Sequence, residues 1–159
     1  MLTHIENLNL RHNFQKLFGN NLYYLQKESF DYIKDGCSVF LKTANLMGKT
    51  TAYLAPFFDY YLMKPENATK QHKIFVICPT LKLEEQVYQT SICLLFQTNG
   101  LTVTKVYVGV KKTISMQNVF VGFSLLVATS RQLLKILRRC EITLQFLETF
   151  VIEKADRMF

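Results

Sequence analysis

The sequence predicts an α/β domain in which helices cover a parallel sheet. Short runs rich in Val, Ile, Phe and Leu alternate along the chain with longer stretches of helical spacing. Several of these runs are apolar throughout, which is typical of strands buried on both faces of a sheet. At 159 residues, the chain is long enough for one such domain with a sizeable core.

Five runs are predicted as strands, and four stretches between them as helices. The predicted strands are Ser38–Leu41, Lys73–Cys78, Leu101–Val108, Leu125–Ala128 and Phe150–Glu153. The predicted helices are Gln26–Lys34, Lys49–Met63, Leu83–Thr98 and Arg131–Arg139. Gly36 and Gly100 follow the first and third helices, where glycine commonly ends a helix. In the third helix, one face is formed at helical spacing by Leu83, Val87, Ser91, Leu94 and Leu95.

Composition and charge indicate the kind of binding partner and the cellular compartment to expect. A net charge of +7 favours an anionic partner such as nucleic acid, although an ordinary basic surface would have the same charge. No apolar run reaches the length of about 18 residues that a membrane span needs, and the N-terminus lacks the apolar centre of a signal peptide. The cysteines are widely spaced, which is typical of a reducing, cytoplasmic compartment: Cys37, Cys78, Cys93 and Cys140.

One local motif carries recognisable chemistry. Gly48-Lys49-Thr50 follows a predicted strand and opens a predicted helix. A helix N-terminus at the carboxyl end of a strand offers free amides and a positive dipole end to phosphate. The lysine adds a point charge, and the threonine hydroxyl can bind Mg²⁺. The alternative is an ordinary helix start with a surface lysine, because Thr43 stands where the full phosphate-loop signature has glycine.

Six segments, taken in order and with their intervals, resemble the motifs of a single family. They are Gln26, the loop of residues 43–51, Pro79–Gln86, Val108-Gly109, Ala128–Leu134 and Val151–Phe159. Together they resemble the first RecA-like lobe of DEAD-box RNA helicases. The resemblance implies a P-loop NTPase sheet with helices on both faces, ending incomplete after the last motif. It also implies an N-terminal extension over residues 1–25 and an ATP-binding lobe over residues 26–159.

The resemblance implies a site for ATP and Mg²⁺. Gln26 matches the glutamine that reads adenine, and Thr50 and Glu153 match the positions that bind the metal. Glu153 and Asp156 match catalytic positions of the motif that names the family. The phosphate cradle would be formed by Thr43, Ala44, Asn45, Leu46, Met47, Gly48, Lys49, Thr50 and Thr51.

The resemblance also implies an RNA interface that contacts the sugar–phosphate backbone rather than the bases. The matching positions are Pro79, Thr80, Gly109, Thr129 and Arg131. A second helicase lobe, or another protein, is an implied partner, and a membrane is not.

Several positions depart from the family pattern. Leu46 replaces a glycine, and its side chain is expected to narrow the phosphate cradle or to prevent a positive φ. Glu153 replaces the metal-binding aspartate, and Lys154 replaces the glutamate that activates water. A charged ammonium cannot accept a proton from water, so weak or absent ATP hydrolysis is predicted.

Three functions remain open from the sequence: an ATP-dependent RNA helicase lobe, a pseudo-helicase that holds RNA without turnover, and a protein-interaction scaffold. The Glu153-Lys154 variant also resembles the Tudor-domain-associated, Yb-like helicases of the piRNA pathway.

Overall fold

A computed structural model of the chain describes residues 2–44, 46–64, 73–106, 123–139, 142 and 144–158. The chain divides into two compact units. The first comprises residues 1–67 and 90–100, and the second comprises residues 68–89 and 101–159. No helix within the described ranges combines the length and the apolar character that crossing a membrane requires.

Among its described residues, the first unit contains three helices and the end of a fourth. They are α1 (Leu8–Phe18), α2 (Tyr24–Lys34), α3 (Lys49–Leu62) and, beyond Gln89, the last residues of α4 (Leu81–Leu94). Helices α2 and α3 pack extensively against each other. The N-terminal extension is part of this packing, because Leu10 and Phe14 of α1 are fully buried. Leu2, Ile5 and Leu22 of the extension are buried as well, whereas Leu8, Leu17 and Phe18 are exposed.

Two buried polar side chains hold the extension in place. The carboxylate of Asp59 on α3 accepts the backbone N–H groups of Glu6 and Asn7, both at 2.8 Å, and Lys34 donates to its other oxygen at 3.0 Å. The Asn13 amide donates to the carbonyls of Leu94 and Phe96, at 3.0 and 2.7 Å. These carbonyls lie at the end of α4, where a helix leaves its last acceptors unpaired.

The second unit is built on a parallel sheet of four strands. They are β1 (Ile74–Cys78), β2 (Val103–Lys105), β3 (Leu125–Thr129) and β4 (Thr149–Ile152), in the order β2-β3-β1-β4. Strand β1 is buried throughout, as expected for a central parallel strand. Helix α5 (Ser130–Arg138) begins directly after β3, and a 3₁₀ turn over Ala155–Arg157 follows β4. The predicted parallel α/β sheet is confirmed.

An apolar cluster on one side of this sheet holds α5 in place. Phe75 and Ile77 of β1 and Leu126 of β3 contribute to it from the sheet, and Leu133 and Ile136 contribute from α5. The cluster forms because alternate residues of a strand share one face, while residues three apart share one face of a helix.

The predicted strand Ser38–Leu41 is wrong. The segment is extended without ladder hydrogen bonds, and the Phe40 side chain is 83% exposed. A strand exists only when a neighbour accepts and donates its backbone hydrogen bonds. No other part of the described chain pairs with this segment.

The other element bounds shift by smaller amounts. Helix α4 begins two residues earlier than predicted and ends at Leu94 rather than Thr98. It ends because Asn13 takes the carbonyl of Leu94 and because Gln97 adopts a positive φ of 56°. Strand β2 covers only three residues of the predicted run, and Tyr107 and Val108 lie outside the described residues.

Replacement of Asp59 by asparagine is predicted to loosen the extension. The substitution leaves Lys34 without its buried partner charge, so the free energy of unfolding should fall by about 2–4 kcal/mol. Urea denaturation measures the change. Glu28→Gln is the matched control, because Glu28 is an exposed carboxylate on α2. This control should change stability by less than about 0.5 kcal/mol, and equal effects of the two substitutions would contradict the role of Asp59.

Candidate nucleotide-binding loop and nucleic-acid interface

The candidate phosphate loop ends in the left-handed residue Gly48, which caps α3. Its φ is 69°, and a Cβ at this position would lie 2.3 Å from Nε2 of Gln26. Glycine is therefore favoured here, because a Cβ would strain the left-handed backbone and would displace the amide of Gln26. Lys49 and Thr50, the next two residues, form the first turn of α3. The loop thus presents the amides of a helix N-terminus, as the sequence predicted.

Lys49 lies against the loop that precedes it. Its ammonium donates to the carbonyls of Thr43 and Ala44, at 3.0 and 2.7 Å. The positive charge is therefore held beside the loop backbone, at the place where a bound phosphate would need it. Asn45, another predicted cradle residue, lies outside the described residues.

Gln26 is buried and holds the end of the loop. Its Nε2 donates to the Thr51 hydroxyl at 2.6 Å and to the Gly48 carbonyl at 3.3 Å, and its Oε1 accepts the backbone N–H of Tyr23 at 2.8 Å. The Thr51 hydroxyl in turn donates to the Gly48 carbonyl at 2.9 Å. The amide of Gln26 is thus engaged with the loop itself, and adenine reading by this residue stays a prediction.

The expected effect of Leu46 on the loop is wrong in both of its forms. Leu46 adopts a positive φ of 66°, and its side chain is 97% exposed. It therefore neither prevents the left-handed conformation nor fills the cradle, because its side chain points into solvent. The cost is instead conformational, since a left-handed residue with a Cβ is disfavoured by about 1–2 kcal/mol.

The second unit brings three of the motif segments to one edge of its sheet. Parallel pairing aligns Cys78 with Thr129 and Ile77 with Ile152. The segments that follow these strands therefore start side by side, at the edge where open α/β sheets bind ligands. Pro79 and Thr80 follow β1, and Glu153 follows β4. Gly109 lies outside the described residues.

The family-naming segment forms a tight turn. Glu153 is buried, and its backbone N–H donates to the Ile77 carbonyl at 2.9 Å. Lys154 has a positive φ of 50° and leads into the 3₁₀ turn, in which Asp156 is exposed. Burial raises the pKa of the neighbouring Cys78 thiol to about 12, with a further contribution from the negative charges of Glu153 and Glu84. Cys78 is thus a buried thiol without nucleophilic character.

The carboxylate of Glu153 and the hydroxyl of Thr50 are hard oxygen donors of the kind that Mg²⁺ prefers. They belong to different units, and within the described residues no group of three or more His, Cys, Asp or Glu side chains is placed to hold a metal.

Thr129 and Gln132 form a capping box at the start of α5. The Oε1 of Gln132 accepts from the Thr129 backbone N–H at 2.7 Å and from its hydroxyl at 2.6 Å. The Nε2 of Gln132 donates to the Val106 carbonyl at 2.7 Å. Gln132 also donates a hydrogen bond to Glu84 of α4. One buried side chain thus ties together the segments that follow β1, β2 and β3.

Neither Gln132 nor Glu84 was predicted from the sequence as a site residue. The Thr-x-x-Gln spacing that opens α5 is a capping-box signature and was a usable signal for Gln132. No comparable signal identifies Glu84. It follows Leu83 in the sequence, and Leu83, not Glu84, was predicted to lie on the apolar face of α4. The structure buries Glu84 and leaves Leu83 only partly buried. The other four predicted face residues, Val87, Ser91, Leu94 and Leu95, are buried.

Glu84 is an unusually placed carboxylate. Burial raises its pKa to about 7, against the lowering effects of the hydrogen bond from Gln132 and the charge of Lys105. Its Oε2 atom is buried and has no hydrogen-bond partner among the residues that the structure describes. The next residue, Glu85, is exposed and has a lowered pKa because Lys105 forms an ion pair with it.

Replacement of Leu46 by glycine is predicted to relieve strain in the loop. The gain is partly offset by the greater freedom of glycine in the unfolded chain, so stability should rise by about 1 kcal/mol or less. Gln97→Gly is the matched control, because Gln97 has a similar φ of 56° outside the loop. Thermal unfolding should show a higher melting temperature than wild type for both variants. Only Leu46→Gly should alter binding of a fluorescent ATP analogue, and an equal change in Gln97→Gly would contradict a local effect.

Replacement of Glu84 by glutamine is predicted to remove a pH-dependent loss of stability. The pKa of Glu84 in the folded state, about 7, lies above the ordinary glutamate value of 4.5, so the folded state binds the proton more tightly. Wild-type stability should therefore fall as pH rises from about 4.5 to 7. At pH 8 Glu84→Gln should be more stable by about 2 kcal/mol, allowing for solvent screening, and at pH 4 the two proteins should be equal.

Urea denaturation across this pH range measures the difference between the two proteins. Glu85→Gln is the control and should have a small effect of opposite sign, because the pKa of Glu85 is lowered. A constant difference between wild type and Glu84→Gln at every pH would refute the assignment.

Comparison with known proteins identifies the family to which the chain belongs. Residues 23–159 match the DEAD/DEAH box helicase family. The chain is 28% identical over 112 residues to the ATP-dependent RNA helicase RhlB of Pseudoalteromonas atlantica, covering 70% of this chain and 26% of that protein. It is 31% identical over 113 residues to the DEAD-box ATP-dependent RNA helicase 24 of Arabidopsis thaliana, covering 70% of this chain and 15% of that protein.

A solved structure shares the fold. The crystal structure of a hypothetical ATP-dependent RNA helicase from Sulfolobus tokodaii matches with a TM-score of 0.81 and 24% identity, over 96% of this chain and 43% of that chain. The predicted RecA-like fold is confirmed. Since the family match extends over most of the sequence, this chain belongs to the DEAD/DEAH box helicase family.

Proposed function

We propose that the chain is the ATP-binding lobe of an RNA helicase, in which residues 26–159 form the lobe and residues 1–25 an extension packed on it. The observation that carries the proposal is the phosphate loop. Gly48 turns the backbone into α3, and Lys49 is held beside the loop. The RhlB and Arabidopsis relatives, which are named as ATP-dependent RNA helicases, support the same function.

ATP binding would place the terminal phosphates in the loop. The amides that open α3 and the Lys49 ammonium would meet their charge. Thr50 and Glu153 would bind Mg²⁺, which supplies charge neutralisation between the phosphates. Gln26 would orient the base or, through its bonds to Gly48 and Thr51, keep the loop in a competent shape.

RNA binding would use the edge of the sheet in the second unit. Thr80 is exposed at the start of α4, and Arg131 is exposed on α5. Thr129 is fixed by Gln132, so its backbone is held rigid at the helix start. Such an arrangement suits contacts to the sugar–phosphate backbone, which position RNA without reading its sequence.

Hydrolysis is proposed to be weak or absent. Lys154 stands where the family has its water-activating glutamate, and an ammonium beside a metal and a triphosphate cannot accept a proton from water. The specific alternative, favoured by the same residue, is a pseudo-helicase that holds ATP and RNA as a scaffold. We place the chain in the subgroup of Tudor-domain-associated helicases of the piRNA pathway. Its proposed partner is a second helicase lobe or another protein, and its proposed compartment is the cytoplasm.

The first test is binding of a fluorescent ATP analogue with and without Mg²⁺. Lys49→Ala should weaken binding at least about tenfold, since a charge-assisted contact of about 1.5–3 kcal/mol is lost. Lys27→Ala is the control, because Lys27 is an exposed lysine on α2 of the same unit. Equal binding by wild type and Lys49→Ala would show that the loop does not hold phosphate.

RNA-stimulated phosphate release then separates the enzyme from the scaffold. Wild type should show little turnover, and Lys154→Glu should raise it by restoring a carboxylate that can accept the proton. Rapid turnover by wild type would refute the proposed loss of hydrolysis.

A further inference from the structure

One face of α5 carries a row of exposed cations. Arg131, Lys135 and Arg138 are spaced four and three residues apart, which places them on the same side of the helix. All three are exposed, whereas Leu133 and Ile136 on the opposite side are buried in the apolar cluster. We refer to these three cations as the α5 stripe.

Carboxylates do not neutralise the α5 stripe within the described chain. Helix α5 contains no acidic residue, and no ion pair found in the described ranges involves any of the three side chains. Like charges four residues apart destabilise a helix by about 0.2–0.5 kcal/mol. The helix dipole favours Lys135 and Arg138 in the last turn, but it disfavours a cation such as Arg131 in the first turn. The helix dipole therefore does not account for the whole stripe.

The position and length of the α5 stripe suit a polyanion. The helix starts without any loop after Thr129, so the stripe leads away from the proposed RNA contacts. From Arg131 to Arg138 the helix rises by roughly 10 Å. A nucleic-acid strand in a duplex carries one phosphate per about 3.4 Å of axis, so the stripe spans about three phosphates.

We propose that the α5 stripe is a second contact surface for the RNA sugar–phosphate backbone, independent of base sequence. The proposal rests on the proposed RNA-binding function and extends it to Lys135 and Arg138. A membrane surface does not fit, because an interfacial helix inserts its apolar side and that side of α5 is buried in the protein core.

The test measures how salt weakens binding of a fluorescent single-stranded poly(U) RNA to the full chain. The variant Arg131→Gln/Lys135→Gln/Arg138→Gln removes the α5 stripe. The control Lys16→Gln/Lys27→Gln/Lys64→Gln removes three exposed lysines of the first unit. Each variant lowers the net charge from +7 to +4 (7 − 3 = 4). Gln, Lys and Arg have similar helix propensities, so circular dichroism should show an unchanged fold.

A plot of log binding constant against log salt concentration has a negative slope. The stripe variant should make this slope shallower by about 2, at about 0.7 per lost phosphate contact. Between 50 and 200 mM salt, wild type should then lose roughly 18-fold more affinity than the variant. The control should keep the wild-type slope. Arg131→Lys/Arg138→Lys should keep it as well, because the charge remains.

Each contrary result has a distinct meaning. An unchanged slope in the stripe variant, with tight RNA binding by wild type, would overturn this inference together with the proposed RNA contact of Arg131. It would leave the other proposed RNA contacts and the ATP-binding function standing. Absence of RNA binding by wild type would overturn both. Competition by poly-glutamate as strong as that by unlabelled RNA, lost in the stripe variant, would assign the stripe to an acidic protein instead.

Discussion

Parallel pairing of β1 with β3 and β4 is the constraint on which the second unit depends. Because all these strands run in the same direction, the segments that follow them must begin at one edge of the sheet. The Thr80, Thr129 and Glu153 segments are far apart in the sequence and are brought together by this pairing alone. Complete burial of β1 makes the register strict, since a slip of one residue would turn its side chains to the wrong face.

Two buried glutamines, one in each unit, make the same pattern of hydrogen bonds. Gln26 and Gln132 each accept the backbone N–H of the residue three positions earlier, at the start of a helix. Each then donates from Nε2 to a carbonyl in a distant segment, Gly48 for one and Val106 for the other. A glutamine suits this role because its amide accepts and donates at the same time. The family resemblance assigns nucleotide binding to the loop that contains Gly48, and it assigns RNA binding to Gly109, three residues after Val106 in the sequence.

The departures from the family pattern act by different physical routes. Leu46 changes the conformational energy of the loop but leaves the cradle open, because its side chain is exposed. Lys154 changes the sign of a charge at the position that the family resemblance assigns to water activation. In the proposed function, the first change affects nucleotide binding and the second affects turnover.

The sequence by itself determined the alternation of helices and strands from α2 onward, apart from Ser38–Leu41, and the positions of the family motifs. These features are local, because helix periodicity and short motifs depend on residues close together in the chain. The tertiary structure alone decided that Ser38–Leu41 is not a strand, since an apolar run becomes one only when a distant segment pairs with it. It also decided the positive φ of Leu46, the burial of Glu84 and the contacts of Gln132 with Val106 and Glu84. These features depend on contacts with residues that are distant in the sequence, or on exposure to solvent. The residue pattern of a single segment encodes neither the distant contacts nor the exposure.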